Sequence, residues 1–255
     1  MKNTIILFAL LLLGLSSCTD VIQVDLDTIE PHPVIDAVLD GSSGECHVRL
    51  TKSGGFYQNG AYDFIGGAKI YLQDASGELI PIKEEGQGNY KASNIAVEPG
   101  KTYKIILENV LGKNYEAIAE APYPGEIIDV NLAEVNTLGP DTEYYVSVSF
   151  QDRPDIKDHY WMKVYVNGVY QSKIFDYTDD VVFDGQALEF PSEAEFELGD
   201  TLDIEFLSIN KALYQFIYQV SENKNLAYNP KTNFNGDALG IFGITFTDKK
   251  SIIVE

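Results

Sequence analysis

His159-Tyr160-Trp161-Met162-Lys163-Val164-Tyr165-Val166, followed by Asn167-Gly168 and Val169, decides the fold class of this 255-residue chain. Tyr160, Met162, Val164 and Val166 recur at every second position, which places them on one face of a strand. His159, Trp161, Lys163 and Tyr165 then share the other face. Asn-Gly suits a type I′ turn, whose twist matches the strands it joins. The stretch therefore predicts a β-hairpin with one buried face.

Working outward towards the N-terminus, the same period of two marks strands at Val34–Leu39, Cys46–Thr51, Ala68–Gln73, Thr102–Leu107 and Tyr115–Ala119. Turn residues separate them at Asp40–Gly44, Asp74–Gly77, Gly86–Asn89, Glu98–Gly100 and Leu111–Asn114. Short strands at that spacing predict an antiparallel sandwich. Ala121-Pro122-Tyr123-Pro124-Gly125 stiffens and exposes the backbone and reads as a domain boundary. Towards the C-terminus, Ile128, Val130 and Leu132 alternate, as do Tyr144, Val146, Val148 and Phe150, and then Leu202, Ile204 and Phe206. One helix near 210–222 interrupts them, capped by Asn210, with Leu213, Phe216, Ile217 and Val220 at helical spacing. Leu239–Thr247 and Ser251–Val254 read as two final strands, expected to close a sheet edge. The chain is thus expected to be all-β, with two antiparallel β-sandwich domains at 33–122 and 123–255 and one short helix in the second. The order Gly67, Gly77, Gly88, Gly100 resembles that of small immunoglobulin-like or transthyretin-like modules of bacterial surface proteins.

Thirty-nine acidic residues against 18 basic ones give a formal charge of −21, which repels nucleic acid and anionic lipid head groups. At the N-terminus, Lys2 precedes the apolar run Ile5–Leu13, and Leu15-Ser16-Ser17-Cys18 follows. The run is too short to span a bilayer and ends as a secretory signal does. The cysteine at the cleavage point resembles the lipobox of bacterial lipoproteins. That resemblance implies removal of residues 1–17, acylation of Cys18 and membrane attachment through the lipid, with 18–32 as a tether. Two or more acyl chains satisfy the requirement for stable anchoring. Cys46 would then have no disulfide partner. It shares a strand face with Val48 and Leu50, which predicts a buried, inert thiol.

The lipobox, the glycine-punctuated first module, Phe183-Asp184-Gly185-Gln186 ahead of Gly199-Asp200, and Asn233–Gly243 occur together in that order. The combination resembles a family of Bacteroidota outer-membrane lipoproteins, domain of unknown function 4249 (DUF4249). The resemblance implies two β domains, an outer-membrane address and frequent company with TonB-dependent transporters. It carries no activity and no functional residue.

Few constellations point to chemistry. Asp176, Asp179, Asp180 and Asp184 form the densest carboxylate cluster, a candidate calcium site, although the spacing departs from an EF-hand loop. His32, His47 and His159 lie on separate segments without metal-ligand spacing. No nucleophile elbow or phosphate-cradling loop occurs. No catalytic residue and no cofactor beyond that calcium are therefore expected. Aromatic side chains are the better binding candidates: Trp161 and Tyr165 on the outward face of the opening strand, and Phe56, Tyr57 and Tyr62 in a glycine-rich loop. The expected function is a non-enzymatic, lipid-anchored outer-membrane protein that assists a TonB-dependent transporter or captures its ligand. A surface adhesion or envelope-scaffold lipoprotein is the alternative, and a hydrolase with a spatially assembled site comes third.

Overall fold

The alternating stretches fold as strands and the helical stretch as a helix in a computed structural model that describes residues 31–54, 63–136, 142–154, 156–171, 176–179, 187–193, 196–222 and 228–255. Among the described residues, seven strands precede the Pro-Tyr-Pro-Gly segment: β1 (Pro33–Asp40), β2 (Glu45–Lys52), β3 (Lys69–Gln73), β4 (Leu79–Gly86), β5 (Asn89–Ala92), β6 (Thr102–Val110) and β7 (Lys113–Glu120). After it come β8 (Ile127–Asn136), β9 (Thr142–Gln151), β10 (His159–Val166), β11 (Val169–Tyr170), β12 (Asp176–Asp179), β13 (Ala187–Glu193), β14 (Thr201–Ile209), helix α1 (Lys211–Glu222) and β15 (Leu239–Ile253). The predicted Asn-Gly turn is present, with positive φ at both Asn167 (51°) and Gly168 (78°) as type I′ geometry requires.

One large sheet runs β11-β10-β14-β15-β1-β2-β5-β4-β3-β6-β7, with β12 also paired to β10, and β13-β9-β8 form a second, three-stranded sheet. Inward residues of β1, β2 and β5 meet those of β3, β6 and β7 in a first core containing Ile35, Leu50, Leu72, Tyr90, Ile105 and Tyr115. In the second core, Val146, Val148 and Phe150 of the small sheet pack on Met162, Ile204 and Phe206 of the large one. Ala121 is the last residue of the first core before the chain reaches Ile127 and Val130 beside the second. Phe234, Ala238, Phe242, Ile244 and Phe246 then return to the first. Cys46 lies fully buried there, and desolvation pushes its thiol up to about 12, so it is protonated and inert as expected.

The C-terminal reading needs correction. Instead of two strands closing an edge, β15 is one continuous 15-residue strand in the middle of the large sheet. Leu239–Thr245 pair with β1 in parallel, and Thr245–Ile253 pair with β14 antiparallel, so Thr245 sits opposite both Asp40 and Ile209. Gly240 permits the first contact. Its φ is +96°, and a Cβ there would lie 2.2 Å from the Ile35 carbonyl oxygen. Gly243 permits another, since its Cβ would meet Leu213 of α1 at 2.8 Å.

Before β14 begins to pair, the outer edge of β15 has no neighbouring strand among the described residues, and asparagines complete it. Asn233 donates through Nδ2 to the Phe242 carbonyl (2.9 Å) and accepts from the Phe242 N–H through Oδ1 (2.9 Å). The Asn210 N–H donates to the Ile244 carbonyl (3.1 Å), and its Oδ1 accepts from the Ile244 N–H (2.9 Å). Asn210 does hold the helix N-cap position, because its carbonyl accepts from Tyr214 N–H, but its side chain serves β15 rather than the helix.

The approach to β15 straps onto β7. Phe234 bridges Ala117, Asn235 exchanges hydrogen bonds with the backbone of Glu116, and Asp237 accepts from Tyr115 (2.8 Å) and Lys113 (2.7 Å). The Lys113 bond, followed by the Tyr115 bond, holds the Asp237 carboxyl down to about 2. Burial, reinforced by Asp237, raises the Tyr115 phenol to about 12.

Two substitutions test this frame. Gly240→Ala should cost about 1–3 kcal/mol more than Gly112→Ala, which shares a positive φ but meets nothing within 4 Å. Denaturant unfolding of the two variants measures the difference, and equal losses would contradict the close approach. Asp237→Asn should lower Tm at neutral pH. A depressed carboxyl pKa stabilises the fold above the ordinary carboxylate range and stops doing so as pH falls through about 2. The Tm gap to wild type should therefore narrow as pH drops from about 5 towards 2. An unchanged gap would place the effect elsewhere.

Candidate functional site

Helix α1 lies across the outer face of the large sheet and borders two regions, among the described residues, that are open to a ligand. Its apolar stripe sets Leu213 and Ile217 against Leu207, Ile209 and Ile241, with Trp161, Tyr214 and Phe216 packed around them. His159 is buried there, its ring 4.6 Å from that of Tyr214. The outward face of β10 is thus covered at one end and open at the other. Trp161 is half-buried, and its indole N–H is enclosed with no acceptor in reach among the described residues. The Lys163 ammonium lies 4.2 Å from the centre of the indole ring, a cation–π contact. Desolvation, and secondarily Lys249, lower the pKa of Lys163, while Glu205 opposes them. Tyr165 leans on Tyr170 at 5.3 Å and donates to Glu205 at 3.4 Å. Glu205 also accepts from Lys249 at 2.6 Å, so the charges of this face are largely met by one another.

The second region is an open groove of about 490 Å³ beside the start of the helix. One wall is the end of β7 and the segment beyond it, from Ile118 to Tyr123. The other is formed by Ile156–His159 and by the helix start from Ile209 to Gln215. Ile118, Tyr123 and Ile156 are large apolar groups left exposed at its rim. Lys157 and Lys211 bring cations to it, and Glu120 a carboxylate.

A buried polar network stiffens the second wall. Arg153 grips Asp158 with two nitrogens at 2.5–3.0 Å, and its guanidinium stacks 4.0 Å from the centre of the Tyr123 ring. Tyr160 donates to Asp152 at 2.8 Å, and Asp152 is 1% exposed. Burial, with the neighbouring Asp158 and Asp152 charges, drives the Tyr160 phenol upward, which keeps it a donor. Asp158, neutralised by Arg153, is therefore a positioning group of the wall rather than a free acid.

The structure scatters the sequence candidates. Trp161 and Tyr165 share a sheet face, but the helix reaches only the first. Cys18, Phe56, Tyr57, Tyr62, Asp180 and Asp184 lie outside the described residues. The backbones of Asp176 and Asp179 belong to β12, opposite Met162 and His159. Among the described residues, no group of three His, Cys, Asp or Glu is gathered as a metal site would be. Likewise, no helix there is long and apolar enough to cross a membrane. His32 faces Asp237 (3.5 Å) and His47 faces Glu45 (3.1 Å), while the ring of His159 lies against Tyr214. The groove escaped sequence reading because its walls come from segments about 35 to 95 residues apart. Lys157-Asp158-His159 and Asn210-Lys211 were its only local signs.

A family model described as "Domain of unknown function (DUF4249)" matches residues 19–251. No curated protein matches the chain. Among solved structures, the FN1-FN3 domains of chicken CNTN1 share 12% identity, with 88% of this chain and 66% of that chain covered and a TM-score of 0.27. A tetra-tandem repeat from the extending region of a large adhesion protein shares 10% identity, covering 88% and 50%, with a TM-score of 0.22. Murine CEACAM1b shares 10% identity, covering 88% and 98%, also with a TM-score of 0.22. The chain thus spans less than two thirds of the first two.

As the single tryptophan, Trp161 reports on helix docking. Leu213→Ala should cost about 2–5 kcal/mol and shift Trp161 emission to the red as the helix loosens. Unfolding curves and emission spectra check both effects. Destabilisation without any spectral shift would mean that the helix does not shield Trp161.

Proposed function

The chain belongs to the DUF4249 family, and we propose that it is a lipid-anchored, non-enzymatic binding protein of the outer membrane. In this reading it serves a TonB-dependent transporter as an accessory or ligand-capturing partner. The groove between β7 and the start of α1 carries the reading. Its volume of about 490 Å³ falls within the range of small-molecule sites, and exposed apolar groups line its rim. Arg153 ties down Asp158 in its wall, and Asp152 is engaged by Tyr160, an arrangement suited to holding shape rather than to proton transfer. The lipobox at Leu15–Cys18 supports attachment through an acyl group. With a net charge of −21, a basic surface patch is a poor alternative anchor.

Affinity purification of the tagged protein from native membranes tests the proposal. A barrel transporter should co-purify with the wild type, and Cys18→Ser should release the protein from the membrane fraction. Repeated recovery of the lipoprotein alone, or a Cys18→Ser variant still held by membranes, would overturn it.

A further inference from the structure

The groove beside α1 is charged in the opposite sense to the chain around it. Of its lining residues, Glu120, Lys157, Asp158, His159 and Lys211 can carry charge. Asp158 is neutralised by the Arg153 guanidinium, and His159 is buried with its ring against Tyr214. Glu120, Lys157 and Lys211 are exposed, and among the described residues no ion pair engages any of them. Two free ammonium groups against one carboxylate leave the groove net positive, in a chain whose formal charge is −21. Both lysines stand on the wall made by 156–159 and the helix start, whereas Glu120 stands on the β7 wall.

The helix start adds to that polarity. Asn210 holds the cap position but gives its side-chain oxygen to Ile244, and the first turn of α1 carries no acidic residue. At Lys211 and Ala212, which line the groove, the backbone N–H groups therefore have no side-chain cap among the described residues. They lie at the end of a helix where the aligned peptide dipoles favour negative charge. The cations and the helix start would mean little on an open surface. Here they border a volume of about 490 Å³, with the exposed apolar groups of Ile118, Tyr123 and Ile156 at its rim.

We propose that the groove takes a small amphipathic molecule ending in a single negative charge, a carboxylate or its like. Its apolar body lies against Ile118, Tyr123 and Ile156, and its anionic end points to Lys157, Lys211 and the start of α1. The charge pattern selects that class. A cationic ligand would meet two ammonium groups and the positive end of a helix, with only Glu120 to offset them, and an uncharged one would gain nothing from either. Glu120 in turn disfavours a ligand that brings a second negative charge. The inference rests on the groove being the ligand site of the proposed binding protein, and it names the chemistry of the ligand.

The test compares two probes of one shape, para-trifluoromethyl-phenylacetate and its uncharged amide. Each is titrated into the full-length protein reconstituted in nanodiscs and followed by fluorine NMR, with empty discs as the blank. The carboxylate should bind about tenfold or more tightly than the amide. Lys157→Gln and Lys211→Gln should each weaken the carboxylate about threefold or more and leave the amide unchanged, while Glu120→Gln should tighten the carboxylate. Gln215→Trp, which crowds the groove, should weaken both probes. All four side chains are exposed, so an unchanged Tm verifies that each variant is folded. Equal affinity for the two probes, carboxylate binding indifferent to both lysine variants, or carboxylate binding weakened by Glu120→Gln would overturn the inference. In those cases a loss of binding in Gln215→Trp still leaves the groove standing as a ligand site. Binding of neither probe, or binding that Gln215→Trp does not change, removes the groove reading and the inference together.

Discussion

The fold depends on one strand sharing its backbone between two neighbours that run in opposite senses. Over Leu239–Thr245, β15 supplies parallel hydrogen bonds to β1, and from Thr245 onward it supplies antiparallel ones to β14. At the changeover a strand normally exposes unpaired N–H and C=O groups, and burying them unpaired costs about 1–3 kcal/mol each. Asn233 and Asn210 remove that cost by completing Phe242 and Ile244. Asparagine suits the task because its amide offers a donor and an acceptor in the geometry of a peptide group.

That solution has consequences for the surface. Because Asn210 serves β15, the helix starts where the sheet requires it, and its stripe must fall on Leu207, Ile209 and Ile241. The groove opens between that fixed helix start and the end of β7, which the 233–237 strap also holds. The walls therefore belong to the same hydrogen-bonded frame as the core. A ligand taken up there would meet a preformed shape, which limits its ordering cost.

Much of the strand content was legible in the sequence, because half-buried strands alternate in apolarity. The β10 hairpin, β1, β6 and the helix follow their patterns closely. The order of strands in space was not legible, since long-range pairing leaves no local mark. One signal was available: Leu239-Gly240-Ile241-Phe242-Gly243-Ile244-Thr245-Phe246 is nearly continuous in apolarity, as expected of a central strand buried on both faces. Asp248-Lys249-Lys250 obscured it by resembling a turn. Instead Asp248 accepts from the Ile127 N–H, and Lys249 and Lys250 reach Glu205 and Asp129. The motif Asn233–Gly243 is likewise explained by structure, through the amides of Asn233 and Asn235, the Asp237 clasp and the close approach at Gly240.

If β15 unites the two cores, they should lose their structure together, and the chain carries one reporter in each. In a protein beginning at Thr19, Cys46 is the only thiol and Trp161 the only tryptophan. Equilibrium denaturation with Trp161 emission and pulsed thiol labelling of Cys46 should give coincident midpoints and a single transition. Cys46 becoming reactive at a denaturant concentration well removed from the Trp161 transition would show two cores that stand independently, and would contradict the shared strand as the element on which both depend.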